Sequence, residues 1–256
     1  MSYEKDNTPA KTILSAYAVC DTGCKRTNNE DLILLNDEIF RNGSRQKEFD
    51  INEKVVIALA DGIGGLDNGE IASEIALTSL HKILSKIPDD LSNEELQEVF
   101  SVYTRKTHSI LTGKMGSTVV GLFVYRGKVF RFHAGDSRIY LMRNGVLVRL
   151  TVDHSLRELG GNPAAPSNIM TNALGGNAAA FIEFEEIEHP LFRGDIYLLS
   201  SDGLHDLVSS PEIADILMLP SLPSSDYAEK LLSMAKRKGG WDNISIVTIK
   251  VQEQQP

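Results

Sequence analysis

The stretch AVCDTGCKRTNNED, Ala18 to Asp31, supports two chemistries at once. Cys20, Gly23, Arg26 and Thr27 have the C-x-x-G-x-x-R-T spacing of a phosphate cradle, in which a thiolate attacks phosphorus while backbone amides and a guanidinium hold the oxygens. In the same stretch Arg26 precedes an acidic pair, Glu30 and Asp31, which suits phosphate chemistry run through metal ions. Four more aspartates stand at turns that follow or separate apolar runs: Asp61 in VVIALADGIGG, Asp136 in HAGDSR, Asp202 in LLSSDGLHD and Asp242 in GGWDNISIV. A carboxylate at a strand end beside glycine can be aimed by rigid backbone into a shared cleft, and glycine lets a backbone carbonyl approach an ion. Hard oxygen donors of this kind suit Mg²⁺ or Mn²⁺. Any one Asp-Gly is more often a turn than a ligand. The four aspartates together with Glu30 and Asp31 make a candidate ligand set.

Elements must exist to aim those groups. The runs 12–19, 31–35, 55–60, 117–125, 129–134, 138–142, 146–150, 181–187, 195–201 and 243–251 are short, rich in β-branched and aromatic residues and bounded by turn signals, so they read as strands. Asn144-Gly145 predicts a type I′ hairpin between two of them. Apolar residues recur at helical spacing from Ile71 to Ile87 after Asp67-Asn68, and Ser92 with Glu95 forms a capping box ahead of Leu96, Val99, Phe100 and Tyr103. Two late helices are expected, one opening at Ser210-Pro211 and one from Ser225 through Lys238. This order fits sheets covered by helices better than an alternating parallel wind. The polar segment from Asn36 to Lys54 reads as a solvated loop, with a partner-facing hairpin as the alternative.

The chain has 256 residues, 42% hydrophobic and 24% charged, with 26 basic against 35 acidic side chains and a formal charge of -9. Length and lack of repeats or linkers predict a single domain over 1–256, with its core at about 12–252. The acidity argues against a nucleic-acid partner. No apolar run nears the roughly 18 residues a membrane span needs, and the polar N-terminus leads us to expect a cytoplasmic protein with no membrane partner. Cys20 and Cys24 make neither a disulfide framework nor a zinc site.

DTGCKRTNNED resembles the opening motif of the metal-dependent protein phosphatases, the protein phosphatase 2C family, and ADGIGG followed by GEIAS resembles its second. GSTVV, AGDSRIY, TVDHSL, NALGG, SSDGLHDLV and GGWDNISIV follow in the family's order, so the resemblance runs from about Ala16 to Val251 and is closest to the compact bacterial type. It implies an α+β fold, a central antiparallel β-sandwich flanked by helices on both faces, with a metal-holding cleft at one end. It also implies two Mn²⁺ or Mg²⁺ ions with a possible third. By the resemblance Asp61 bridges two ions, the Gly62 carbonyl, Asp202 and Asp242 complete their shell, and Glu30 and Asp31 hold metal-bound waters or an ion directly. Asp136 with Asp202 takes the weaker third ion, and Arg26 grips the substrate phosphate. The implied reaction is hydrolysis of phosphoserine or phosphothreonine on proteins by a hydroxide bridging two ions, opposing a bacterial Ser/Thr kinase; the protein is expected to act as a monomer.

Two rival readings are weaker. A cysteine mechanism using Cys20 and Arg26 needs a helix after Thr27, but NNEDLILLND reads as loop and strand, and no Asp-Pro supplies an acid loop. A non-catalytic phosphoprotein-binding scaffold of the same fold would not need every carboxylate intact. The chain also departs from the family. Ile63 stands where animal members often carry a histidine proposed as general acid, so that role is unassigned. His133, His154 and His205 read as structural or surface residues. The flap, about 155–171, is short, which leaves the cleft open, and Asn172 stands where many relatives have arginine.

Overall fold

Alternation along the strands decides the architecture. In β1 (Lys11–Asp21), Leu14, Ala16, Ala18 and Cys20 are buried in one cluster while Val19 belongs to another on the opposite face. The computed structural model describes residues 11–63, 68–160, 169–176, 180–220 and 222–254. After β1 come β2 (Leu32–Leu35), β3 (Glu38–Phe40), β4 (Gly43–Asp50), β5 (Val55–Ala60) and β6 (Gly62–Ile63), then helices α1 (Gly69–Leu84) and α2 (Asn93–Ile110). The middle of the chain forms β7 (Gly116–Ser117), β8 (Val119–Tyr125), β9 (Lys128–Ala134), β10 (Arg138–Arg143) and β11 (Val146–Arg149). Then follow α3 (Leu156–Gly160), β12 (Leu174–Gly175), β13 (Glu183–Glu186), β14 (Ile196–Ser200), α4 (Asp202–His205), α5 (Ser210–Leu217), α6 (Ser224–Arg237) and β15 (Ile244–Gln254).

Two six-stranded sheets result, β11-β10-β14-β15-β1-β4 and β13-β9-β8-β5-β2-β3, with a small third sheet β12-β7-β6 at one end. The paired strands are antiparallel, as expected. Leu14, Ile33, Ile57, Leu122, Leu199 and Val247 face one another between the sheets. The opposite face of the second sheet, through Leu34, Val56, Phe123 and Phe132, packs on Ala76, Leu80, Phe100 and Tyr103 of α1 and α2. The opposite face of the first, through Val19, Tyr140, Leu198 and Ile246, packs on Ile213, Tyr227, Ala228 and Leu231 of α5 and α6. Strands hydrophobic on both faces are what a doubly covered sandwich requires, and burying each such side chain contributes about 1.5–3 kcal/mol.

Several expectations shift. The segment 36–54 is not a loop: β3 pairs with β2, and β4 pairs with β1 in register from Ile13↔Asp50 to Cys20↔Gly43. It looked like a loop because β4, GSRQKEFD, is an edge strand with most side chains in solvent, so no apolar alternation marks it. Ser92 and Glu95 form the predicted capping box. Helix α5 is capped by Ser209 with Glu212, with Pro211 in its first turn, one residue earlier than expected, and α6 starts at Ser224. The Asn144-Gly145 turn has positive φ at both residues, 50° and 77°. Asp67, Gly64 and Gly65 lie outside the described residues, as do positions 161–168 of the predicted flap.

Candidate metal centre

The predicted acidic residues converge at one end of the sandwich because backbone fits against backbone there. Asp61 lies between β5 and β6, its N–H donating to Thr118 Oγ1 (3.0 Å) and its carbonyl accepting from the Thr118 N–H (2.8 Å) and Ser117 Oγ (3.1 Å). A Cβ at Gly62 would overlap the Gly69 carbonyl at the start of α1, so only glycine lets β6 lie there. The Gly62 N–H donates to the Glu30 carbonyl (3.2 Å), which places Glu30 beside that junction. Asp202 opens α4 directly after Ser201. Ser201 Oγ donates to Asp31 Oδ2 (2.8 Å) and accepts from the Ser245 N–H (3.0 Å), tying β14, β15 and the Asp31 loop together. Asp136 sits in the β9–β10 turn, where Ser137 Oγ meets Thr118 Oγ1 (2.8 Å).

Electrostatics show how crowded these carboxylates are. Asp31 is buried, and burial pushes its pKa up to about 6 despite hydrogen bonds from Ser245 and Ser201. Burial and then Asp153 push Asp136 up to about 6. Asp61 is held well above the usual carboxylate range, first by burial and then by Asp31, Asp202, Asp136 and Asp242. Asp202 is held up likewise, by burial and then by Asp136, Asp242 and Asp31. Burial also raises Glu30, against the pull of Arg26. Arg26 Nη2 donates to Asp242 Oδ2 at 2.7 Å, and the guanidinium remains half exposed. So many carboxylates in mutual repulsion beside one guanidinium, with the Gly62 carbonyl at hand, form an all-oxygen donor set that fits hard divalent cations such as Mn²⁺ and Mg²⁺.

The cysteine alternative fails on geometry. Cys20 Sγ points between the sheets, accepts from Asn29 Nδ2 (3.2 Å) and Ser245 Oγ (3.1 Å), and burial pushes its thiol up to about 12. A buried, protonated thiol followed by strand β2 cannot act as the nucleophile. Ile63 is half buried at the β6–β7 contact, its Cδ1 facing the place a Cβ on Gly116 would occupy. His205 is held neutral by burial, with Nδ1 on Ser200 Oγ (3.0 Å).

Three supporting residues escaped the sequence reading. Arg41, inside the misread segment, donates to the carbonyls of Asn29 (2.9 Å), Asp31 (3.1 Å) and Glu70 (2.7 Å), bracing the acidic pair against α1. Asn243 accepts from the Glu30 N–H (2.8 Å) and donates to the Thr22 (3.1 Å) and Asn28 (2.9 Å) carbonyls, fixing the loop that carries Arg26. Asn243 follows a candidate ligand directly and could have been suspected; Arg41 and Ser201 carry no signal of their own.

With this geometry in hand, comparison with known proteins is decisive. A family description, protein phosphatase 2C, matches residues 21–159, more than half of the chain. The chain belongs to the protein phosphatase 2C family. Members of that family are metal-dependent phosphoric monoester hydrolases, and this chain is one of its serine/threonine phosphatase branch. It is 33% identical to protein phosphatase PhpP of Streptococcus pneumoniae over 91% of this chain and 96% of that protein. It is 29% identical to serine/threonine protein phosphatase PstP of Mycobacterium tuberculosis over 94% of this chain but 46% of that longer protein. Among solved structures it superposes on the S. agalactiae serine/threonine phosphatase with a TM-score of 0.79, at 27% identity, covering 93% of this chain and 100% of that one. It also matches the catalytic domain of PstP in complex with two manganese ions, with a TM-score of 0.71 at 28% identity, covering 94% and 99%.

Proposed function

We propose that this phosphatase is one catalytic domain that hydrolyses phosphoserine and phosphothreonine on proteins at a binuclear Mn²⁺ or Mg²⁺ centre with a weaker third site, acting as a monomer in the cytoplasm against a bacterial Ser/Thr kinase. The observation that carries the metal centre is the convergence of Asp31, Asp61, Asp136 and Asp202, whose pKa values burial and neighbouring carboxylates raise, with Asp242 beside them and Arg26 hydrogen-bonded to it at the edge. The neighbour solved with two manganese ions supports the same count. No helix among the described residues is long and apolar enough to cross a membrane.

Asp61, the Gly62 carbonyl, Asp202 and Asp242 would hold the two tight ions, Glu30 and Asp31 would orient coordinated water, and Asp136 with Asp202 would hold the third ion. Bound ions of this kind lower the pKa of coordinated water and offset charge on the phosphoryl oxygens. Arg26 leaves Asp242 to grip the phosphate with its planar fork, a short move for a half-exposed side chain. Ser201 keeps Asp31 aimed into the cleft. Ile63 is apolar and cannot serve as the acid, which leaves proton delivery to the leaving oxygen to water at the centre.

The test is hydrolysis of a phosphothreonine peptide by chelator-stripped protein, with and without added Mn²⁺, beside Cys20→Ser. Activity that returns with Mn²⁺ and survives the cysteine change supports this reading. Full activity in the presence of chelator would sink it.

A further inference from the structure

The motifs AGDSR and VDHS are locked together behind the acidic centre. Arg138 meets the Asp153 carboxylate through two nitrogens, Nε to Oδ1 (2.9 Å) and Nη2 to Oδ2 (2.6 Å). The next residue, His154, holds the peptides on both sides of Gly135: its backbone N–H donates to the Gly135 carbonyl of the Gly135–Asp136 peptide (3.0 Å), and its ring Nδ1 accepts from the Gly135 N–H of the Ala134–Gly135 peptide (3.1 Å). Gly135 has φ +112° and lies against Thr118, so its peptide plane is set from that side too.

His133, His154 and Glu183 offer ligand atoms within 4.8 Å of one another, a spacing that invites a metal assignment. The hydrogen bonds argue otherwise. A backbone donor on His154 Nδ1 forces that nitrogen to be the acceptor, which leaves the ring proton on Nε2. Nε2 faces Glu183 Oε1 at 3.1 Å and so donates to it rather than to an ion. The unit is therefore a carboxylate that fixes an imidazole tautomer, and an imidazole that fixes a glycine peptide. Asn172 adds a second donor at Nδ1 (2.8 Å) while its amide also pairs with the Phe181 backbone at both N–H (3.1 Å) and carbonyl (3.0 Å).

We propose that His154, oriented by Glu183 and Asn172, is a positioning residue that fixes the Gly135–Asp136 turn and thereby sets the affinity of the third cation site. The proposal rests on Asp136 being a ligand of that site. A flip of the Ala134–Gly135 peptide would change the backbone at Gly135 and swing the following carboxylate away from Asp202, and the His154 ring is the side chain that opposes it. The network also links the site to the base of the flap, since Asn172 follows the predicted flap and Phe181 precedes β13.

The experiment is a calorimetric Mn²⁺ titration of the metal-stripped protein without substrate, with melting curves of every variant. His154→Ala is expected to weaken the weak site roughly 10- to 100-fold, the usual loss for an outer-shell partner, and to leave the tight sites unchanged. His154→Asn, whose Oδ1 can replace Nδ1 as acceptor, is expected to restore most of it. Glu183→Leu, at a half-exposed position, should shift the weak site in the same direction if His154→Ala fails to fold. Asp136→Asn is the reference. If Asp136→Asn removes the weak site while His154→Ala and Glu183→Leu leave it intact, the positioning role is overturned. Equal loss in His154→Ala and His154→Asn, tracking a lowered melting temperature, overturns it as well. An unchanged weak site in Asp136→Asn overturns the ligand assignment beneath it.

Discussion

At the scale of single residues, what matters is which groups the fold strips of water. Two thiols sit four positions apart, yet Cys20 is buried between sheets while Cys24 is exposed. Iodoacetamide at pH 8 should therefore label Cys24 alone in the folded protein, and mass spectrometry after digestion will show whether Cys20 stays unmodified until denaturant is added. Asp61 shows the opposite tension, a carboxylate the fold desolvates among others. Asp61→Asn should lower kcat by more than the roughly 100-fold that outer-shell changes cost. In the metal-free state the same change removes a repelled charge, so its melting temperature should equal or exceed that of the wild type. A variant that is inactive because it is unfolded would contradict this.

At the scale of elements, the centre depends on backbones that touch where side chains are missing. Gly62→Ala would drive a methyl into the Gly69 carbonyl and push β6 off the start of α1. A cost of about 2 kcal/mol or more in urea unfolding, with loss of tight Mn²⁺ binding, is expected; a variant with wild-type midpoint and metal affinity would show that β6 has room to move. Most of these elements were legible in the sequence. The ten apolar runs became strands because covered strands announce themselves by composition, and α2 was marked by its capping box. What was not legible has a common cause. Strand β4 gains its order from eleven-residue β1 beside it rather than from its own side chains, and the two-residue strands β6, β7 and β12 exist only because distant segments meet. The site's carboxylates were visible because glycine and strand ends flag them. Their braces, Arg41, Ser201 and the His154 unit, were not, since a polar residue bound to a distant carbonyl looks from its neighbours like any surface residue.

At the scale of the whole molecule, the acidic centre trades stability for binding. Asp31 ionises near pH 6 in the fold against an ordinary 3.8, so the folded chain holds the proton more tightly than the unfolded one. That contribution is complete below about pH 4 and is lost as pH rises through about 6. Asp136 moves in the same direction. Chelated protein should therefore melt at lower temperature at pH 7 than at pH 5, and added Mn²⁺ should raise the melting temperature more at pH 7, where protons no longer compete for the carboxylates. Calorimetry at the two pH values checks both signs; a chelated protein more stable at pH 7 would contradict the desolvation account.

The pairing of β1 with β15, in unbroken register from Lys11↔Gln254 to Asp21↔Ile244, has a consequence for the protein's birth. Asp242 emerges from the ribosome more than two hundred residues after its partner Arg26, so the strand that completes the first sheet is made long after the strand it pairs with. Such distant pairing folds slowly. Until β15 docks, the two halves of the centre have no common floor, and a chain still in synthesis carries its candidate carboxylates on segments not yet brought together.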